Sequence, residues 1–216
     1  MTIQFNTELL ERYLAPGIST FVAADIPDLS AIGTKYEHWL SNHFLNSTWS
    51  GAYKAPMRQY AINAIYRIQT AVDSYLSARE LTLHYLSVTR SDNPAIKSYF
   101  RALARWETCF LNWEILVEVF RRLSGTQAFK RNDGSPDQRA YSIANEIKHC
   151  GDSIHRGDHV GDLTVPVWLA NDGFHSRVAS VSYSEFGSLM ADAALFADDL
   201  EIPRKFFQPP SGDEDS

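Results

Sequence analysis

Cysteine is nearly absent: Cys109 and Cys150 are the only two in 216 residues. So sparse a pair, each in a stretch of helical spacing, excludes a disulfide framework and suits reduced thiols in a cytoplasmic setting. Long apolar runs are lacking too, and nothing in the sequence approaches the roughly 20 residues a bilayer span needs. The first residues, MTIQFNTELLERY, have no basic stretch followed by an apolar one, so export and a membrane partner are not expected. Positive charge is in short supply. With 20 lysines and arginines against 26 acidic residues, the formal charge is −6. That disfavours broad, sequence-blind adhesion to nucleic acid, which depends on neutralising phosphates, but leaves room for a small basic site. Also missing are a phosphate-cradling glycine loop with lysine, a dinucleotide fingerprint after a strand, and a glycine-flanked nucleophilic serine.

What is present is a chain able to build a core. Hydrophobic residues make up 44% and charged residues 21%, and the length suits one domain. Asn6 or Thr7 can cap a short helix, ELLERYL, which Ala15, Pro16 and Gly17 end. Residues 18–27 read as a connection. From Asp28 or Ser30, the residues Leu29, Ile32, Tyr36, Trp39, Leu40 and Phe44 recur at helical spacing, until residues 46–54 break the pattern. A long helix is predicted from Ala55 to about Thr89, and a second, capped by Asn93 and Pro94, ends at Gly125. The short connection between them requires an antiparallel hairpin. In the second helix Phe100, Leu103, Trp106, Phe110, Trp113, Leu116 and Phe120 cover more than one face, which makes it the central, most buried element. Its Glu107, Glu114 and Glu118 lack the Glu-x-x-His pattern of carboxylate-bridged metal bundles. They are expected on an exposed edge or paired with Arg101, Arg105, Arg121 and Arg122.

Further on, two apolar runs flank Asn171, Asp172 and Gly173, a β-hairpin signal at about residues 165–180. Ser182 with Glu185 forms a capping box for a last helix that reaches about Leu200, and Pro203 stops it. Residues 208–216, QPPSGDEDS, carry proline and acid without core residues and are expected to be disordered. The expected fold is all-α: a single domain over residues 1–207, a helical bundle of about five or six helices built on the long antiparallel hairpin, with a small β-hairpin near the C-terminus.

The stretch from Ser135 to Asp152, SPDQRAYSIANEIKHCGD, places its polar residues by a rule. Ser135, Pro136 and Gln138 make a helix start with a capping box, and Gly151 supplies a stop. At helical spacing Ala140, Ile143, Ala144, Ile147 and Cys150 fall on one side. Tyr141, Asn145, Lys148, His149 and Asp152 gather on the other. A fixed cation beside an imidazole favours its neutral form, available as a base, and Lys148 next to His149 is such a pair. A solvated helix surface would carry similar residues. HCGDSIHRGDH also places His149, Cys150, His155 and His159 near Asp152 and Asp158, side chains zinc accepts. Gly157 and Gly161 mark this part as loop and the usual finger spacings are absent, so neither a metal nor a cofactor is assigned.

An asparagine followed four residues later by histidine, after a long helical hairpin, resembles the HEPN superfamily of all-α proteins, many of which are metal-independent ribonucleases or relics of them. The superfamily motif is arginine, a polar residue, three variable positions and histidine, and here it reads Ala144, Asn145, Glu146, Ile147, Lys148, His149. Polar position and histidine match, whereas alanine replaces the arginine. The resemblance covers residues 55–152. It implies a histidine acting as acid or base while the 2′-hydroxyl of RNA attacks phosphate, with a cation on the phosphate oxygens. Lys148 could supply that cation as a point charge, without the bidentate fork of arginine; Arg139 lies off the polar face. The family usually forms homodimers with these helices facing each other, so Arg156 of the partner subunit could also enter. The resemblance thus implies a degenerate ribonuclease with Asn145, Lys148 and His149 as catalytic residues. Tyr141, Asp152 and Arg156 would bind RNA or nucleotide. The alternative is a non-catalytic dimeric interaction or ligand-binding module, taking a protein partner or small nucleotide, in which His149 only hydrogen-bonds.

Overall fold

The computed structural model describes residues 6–48, 53–90, 93–158 and 162–202. α1 (Thr7–Tyr13) begins where the Asn6 side chain accepts the Glu8 amide at 2.9 Å. α2 (Ser30–His43) begins beside Asp28, whose carboxylate accepts the Ser30 amide at 2.9 Å, and passes into a π-helical turn, Phe44–Thr48. The connection between them carries Ile18, Phe21 and Ile26 into the core. Tyr75 and Tyr85 donate to its carbonyls at Pro27 and Ile18, so the non-helical backbone there has partners inside the fold.

α3 (Met57–Val88) and α4 (Ile96–Ser124) pack along their lengths as the antiparallel hairpin the sequence predicts. α4 ends as expected at Gly125, whose φ of +70° is the left-handed stop that glycine adopts without a Cβ penalty. Its start differs from the expectation on Asn93 and Pro94. Ala95 is the cap residue, without a side-chain cap bond, and its amide donates instead to Thr89 Oγ1 at 3.2 Å, from the end of the preceding helix.

Trp106 occupies the middle of the core. Tyr75, Phe174, Tyr183 and Phe186 surround its ring at centroid distances from 4.7 to 6.3 Å. The first of those neighbours comes from α3 and the other three from residues 174–186 near the far end of the chain, so α4 is indeed the buried centre.

β1 (Val167–Leu169), β2 (Gly173–Ser176) and β3 (Ser180–Ser182) form an antiparallel sheet in that order. The first two are the expected hairpin, with Trp168 opposite His175, and a third short strand adds to it. Gly173 permits that addition: a Cβ there would stand 2.6 Å from Ser182 Cα. α7 (Tyr183–Glu201) opens with the expected box, the Ser182 hydroxyl accepting the Glu185 amide at 3.1 Å and Glu185 accepting the Ser182 amide at 3.0 Å.

The polar stretch is where sequence and structure part. The expected single helix is two, α5 (Pro136–Lys148) and α6 (Cys150–Arg156). His149, at φ −106° and ψ 17°, closes α5 by donating its amide to Asn145 O at 3.0 Å, while its own carbonyl accepts the Ser153 amide at 3.0 Å and opens α6. Gly151 does not stop the helix; Gly157 does, at φ +71°. Residues 151–156 are therefore helical where a loop was expected, giving seven α-helices among the described residues. Ser135 caps α5 through the Gln138 amide, but the box is not reciprocal, because Gln138 turns its side chain to Ser142 and the Ser135 amide goes to Asp133. Pro203 and the tail at 208–216 lie outside the described residues. Among the described residues no helix is long and apolar enough to cross a membrane.

Candidate functional site

α5 lies against α4 with Ala140, Ile143 and Ala144 buried. Arg139 fixes its rotation. Its guanidinium donates to the Gly134 and Ser180 carbonyls at 3.1 and 2.7 Å and to the Glu185 carboxylate at 2.6 Å. Arg139 and the Ser182 cap together hold the Glu185 carboxyl below its ordinary range. With that rotation set, the other face of α5 looks over α4 and the loop that joins the two helices.

A cleft of about 380 Å³ opens there. One wall is Val117, Glu118 and Arg121 of α4, the second is Gln138, Tyr141, Ser142 and Asn145 of α5, and the joining loop closes it with Phe129, Arg131 and Asn132. The loop is pinned at both ends. Asp133 accepts the Lys130 and Ser135 amides, each at 2.9 Å, and the Ser124 hydroxyl accepts the Thr126 amide at 3.1 Å. Phe129 meets the Tyr141 ring at 5.3 Å and 56°. The Tyr141 hydroxyl reaches Glu118 at 3.4 Å. Burial, followed by the charges of Glu118 and Glu114, pushes the Tyr141 phenol above its ordinary range, so it stays protonated and able to donate.

Of the six residues singled out from the sequence, the cleft brings together two, Tyr141 and Asn145. Lys148 sits one turn beyond Asn145, and its ammonium lies 3.2 Å from Glu114. Glu114 is buried, with 4% of its side chain exposed, which corrects its expected place on an edge or beside an arginine. Glu118 does pair with Arg121, at 2.8 Å. His149, its side chain 54% exposed, has Nδ1 3.6 Å from Asp152, which is itself exposed. Arg156 is exposed on α6 and pairs with Asp158 at 2.7 Å.

The two ends of the α5 face differ in charge. Arg121 and Arg131 stand at the cleft end, and Arg131 makes no ion pair among the described residues. At the other end Glu107 is half-buried and its carboxyl is raised by burial. Glu107 and Glu146 add to burial in raising the Cys150 thiol. No group of three or more His, Cys, Asp or Glu side chains that could hold a metal occurs among the described residues; His159 lies outside them. Phe129, Arg131 and Gln138 are the contributors that sequence reading missed. The one signal for Phe129 and Arg131 was an aromatic among cations and amides in a loop short of apolar residues, TQAFKRND, and Gln138 was read only as part of the helix start. Compared with protein-family models, curated proteins and solved structures, the chain matches none of them.

Proposed function

We propose that this protein is a HEPN-like, RNA-associated helical protein that holds a nucleotide or unpaired RNA against α5 and acts by binding rather than cleavage. The observation that carries this reading is the placement of Tyr141 and Asn145 in one cleft with Arg121 and Arg131, which puts an aromatic face, amides and cations within a single small volume. Cations position phosphate and aromatic faces take bases, the two requirements of single-strand recognition.

Transfer at phosphate needs, in addition, a cation free to meet the charge that develops on the phosphate oxygens. Here Ala144 is buried at the motif's arginine position and Lys148 is engaged by Glu114. The carboxylate nearest His149 is that of Asp152, which would repel phosphate unless a second copy supplied a compensating cation. A homodimer and a cytoplasmic setting belong to the same proposal, the latter supported by two cysteines that are both free thiols.

A short fluorescent single-stranded RNA titrated with protein in chelator tests the reading. The expected result is saturable, salt-sensitive binding that Arg131→Ala weakens, with the RNA intact afterwards. Cleavage that His149→Ala abolishes would restore the nuclease; no binding at any salt would remove RNA from the proposal. A protein partner is the second reading. The groove between α4 and α7, lined by Trp113, Leu116, Phe120, Leu189 and Phe196, favours it.

A further inference from the structure

We propose that the cleft between α4, the 126–134 loop and α5 is a nucleobase pocket. It takes one unpaired base, of a free ribonucleotide or of RNA, against the Tyr141 ring, with the attached phosphate toward Arg131. This rests on the reading above and narrows it to one moiety and one orientation.

Three features point to a base. First, Phe129 and Tyr141 meet at 5.3 Å with their planes inclined by 56°, so they form an apolar corner instead of a closed stack, and both rings line the open volume. A planar heterocycle laid on one of them contacts the other with its edge, an arrangement aromatic groups prefer. Second, Gln138 and Asn145 stand two turns apart on the same face of α5 and both line the cleft. A carboxamide presents a donor beside an acceptor, as base edges do. The Gln138 amide nitrogen is turned to Ser142 Oγ at 3.0 Å, which fixes the group and directs its carbonyl oxygen to accept. Third, the size suits the occupant: about 380 Å³ lies in the lower range of small-molecule pockets.

Charge sets the orientation. Glu118 draws Arg121 to itself at 2.8 Å, leaving Arg131 as the cation for phosphate at the loop end. At the opposite end of the face Glu114 engages Lys148 and Asp152 stands beside His149, so a phosphate placed there would find each basic group already next to a carboxylate. The cleft is also held ready. Asp133 and Ser124 clamp both ends of the loop that carries Phe129 and Arg131, so little ordering remains to be done on binding.

The test uses the full chain and calorimetric titration with AMP and with ribose 5-phosphate. AMP should bind at least roughly ten-fold more tightly, the scale that one stacked base contributes. Tyr141→Phe should keep this preference and Tyr141→Ala should abolish it. Arg131→Ala should weaken both ligands alike. Circular dichroism establishes that each variant is folded, and Phe129→Ala repeats the measurement should Tyr141→Ala fail to fold. Equal affinity for AMP and ribose 5-phosphate, or AMP binding unchanged in a folded Tyr141→Ala, overturns the pocket. A single-stranded oligoadenylate and its abasic counterpart separate the two proposals. If both bind equally, the base pocket fails while RNA association stands. If AMP binds with the stated preference and neither oligomer binds, the pocket stands as a site for free nucleotide and RNA association fails.

Discussion

Lys148 Nζ stands 3.2 Å from Glu114 Oε1, joining the last turn of α5 to a carboxylate that the helix pair encloses almost completely. The pair explains why the lysine that resembles a catalytic cation is better understood as a tether. Removing one partner of such a pair leaves the other charge stranded, and the penalty falls mainly on the buried member. Lys148→Ala should therefore destabilise the fold by about 1–2 kcal/mol, less than for a fully buried pair because half of the lysine side chain meets water. Glu114→Gln with Lys148→Met should recover most of that loss. Urea unfolding of the single and double variants checks it; a Lys148→Ala protein as stable as the parent would show that the ion pair does not tie α5 down.

His149 gives the opposite expectation. Its side chain is more than half exposed and the carboxylate it approaches, Asp152, is exposed too, so little of the fold depends on it. His149→Ala should change stability by no more than about 0.5 kcal/mol, as for a surface substitution. A thermal melt decides. A much larger loss would mean that the imidazole, and not only its backbone, holds the junction of α5 and α6.

Gly173 is a stricter position. At φ +157° it lies where an added Cβ would press into the Val181 and Ser182 backbone of the neighbouring strand, and backbone cannot swing aside as a flexible side chain can. Gly173→Ala should cost about 2 kcal/mol or more through overpacking and detach β3 from β2. Loss of amide-exchange protection in 180–182 ahead of the rest of the chain is the signature; protection equal to the parent's would contradict the clash.

How far the sequence speaks follows the range of the interaction. Ser182 with Glu185, Gly125 at the end of α4, and the apolar repeat of α3 and α4 are local features, and the helices they announce are present. The break at His149 is not local in that sense: glycine at 151 suggested the stop, yet the chain turns two residues earlier and runs on helically. The site was legible only along α5. Periodicity put Tyr141 and Asn145 on one face, but the pairing of Lys148 with Glu114 depends on how α5 is rotated against α4, which Arg139 settles by bonding Ser180 and Glu185, 41 and 46 residues away in sequence. Phe129 and Arg131 lie in a loop without period, so nothing in their spacing placed them beside that face.

Glu107 carries a prediction in pH. Burial raises its carboxyl above the ordinary range of 4.5 in the folded protein, so the folded state holds its proton to higher pH than the unfolded chain does. Stability from this group is therefore full below the unfolded value and is lost as pH rises through the folded one. Glu107→Gln keeps the neutral form at every pH. The variant should match the parent near about pH 4 and melt higher near about pH 7. A variant less stable than the parent at neutral pH would show that the ionised carboxylate has a favourable partner in the fold.

The core offers a test of its own at Thr82. Its hydroxyl accepts the Trp106 indole N–H at 2.9 Å and donates to the Ala78 carbonyl at 2.7 Å, both out of reach of water. Valine fills nearly the same space but cannot accept, so Thr82→Val strands the indole donor at the centre of the aromatic cluster. An unmet buried donor costs about 1–3 kcal/mol, while the Ala78 carbonyl keeps its helical backbone partner and adds little. Thr82→Ser keeps the acceptor and gives up one methyl group, so it should fall between the parent and valine. Urea unfolding of the three proteins should rank them threonine, serine, valine. Valine equal to or above threonine would mean that the indole finds another acceptor when this one is withdrawn.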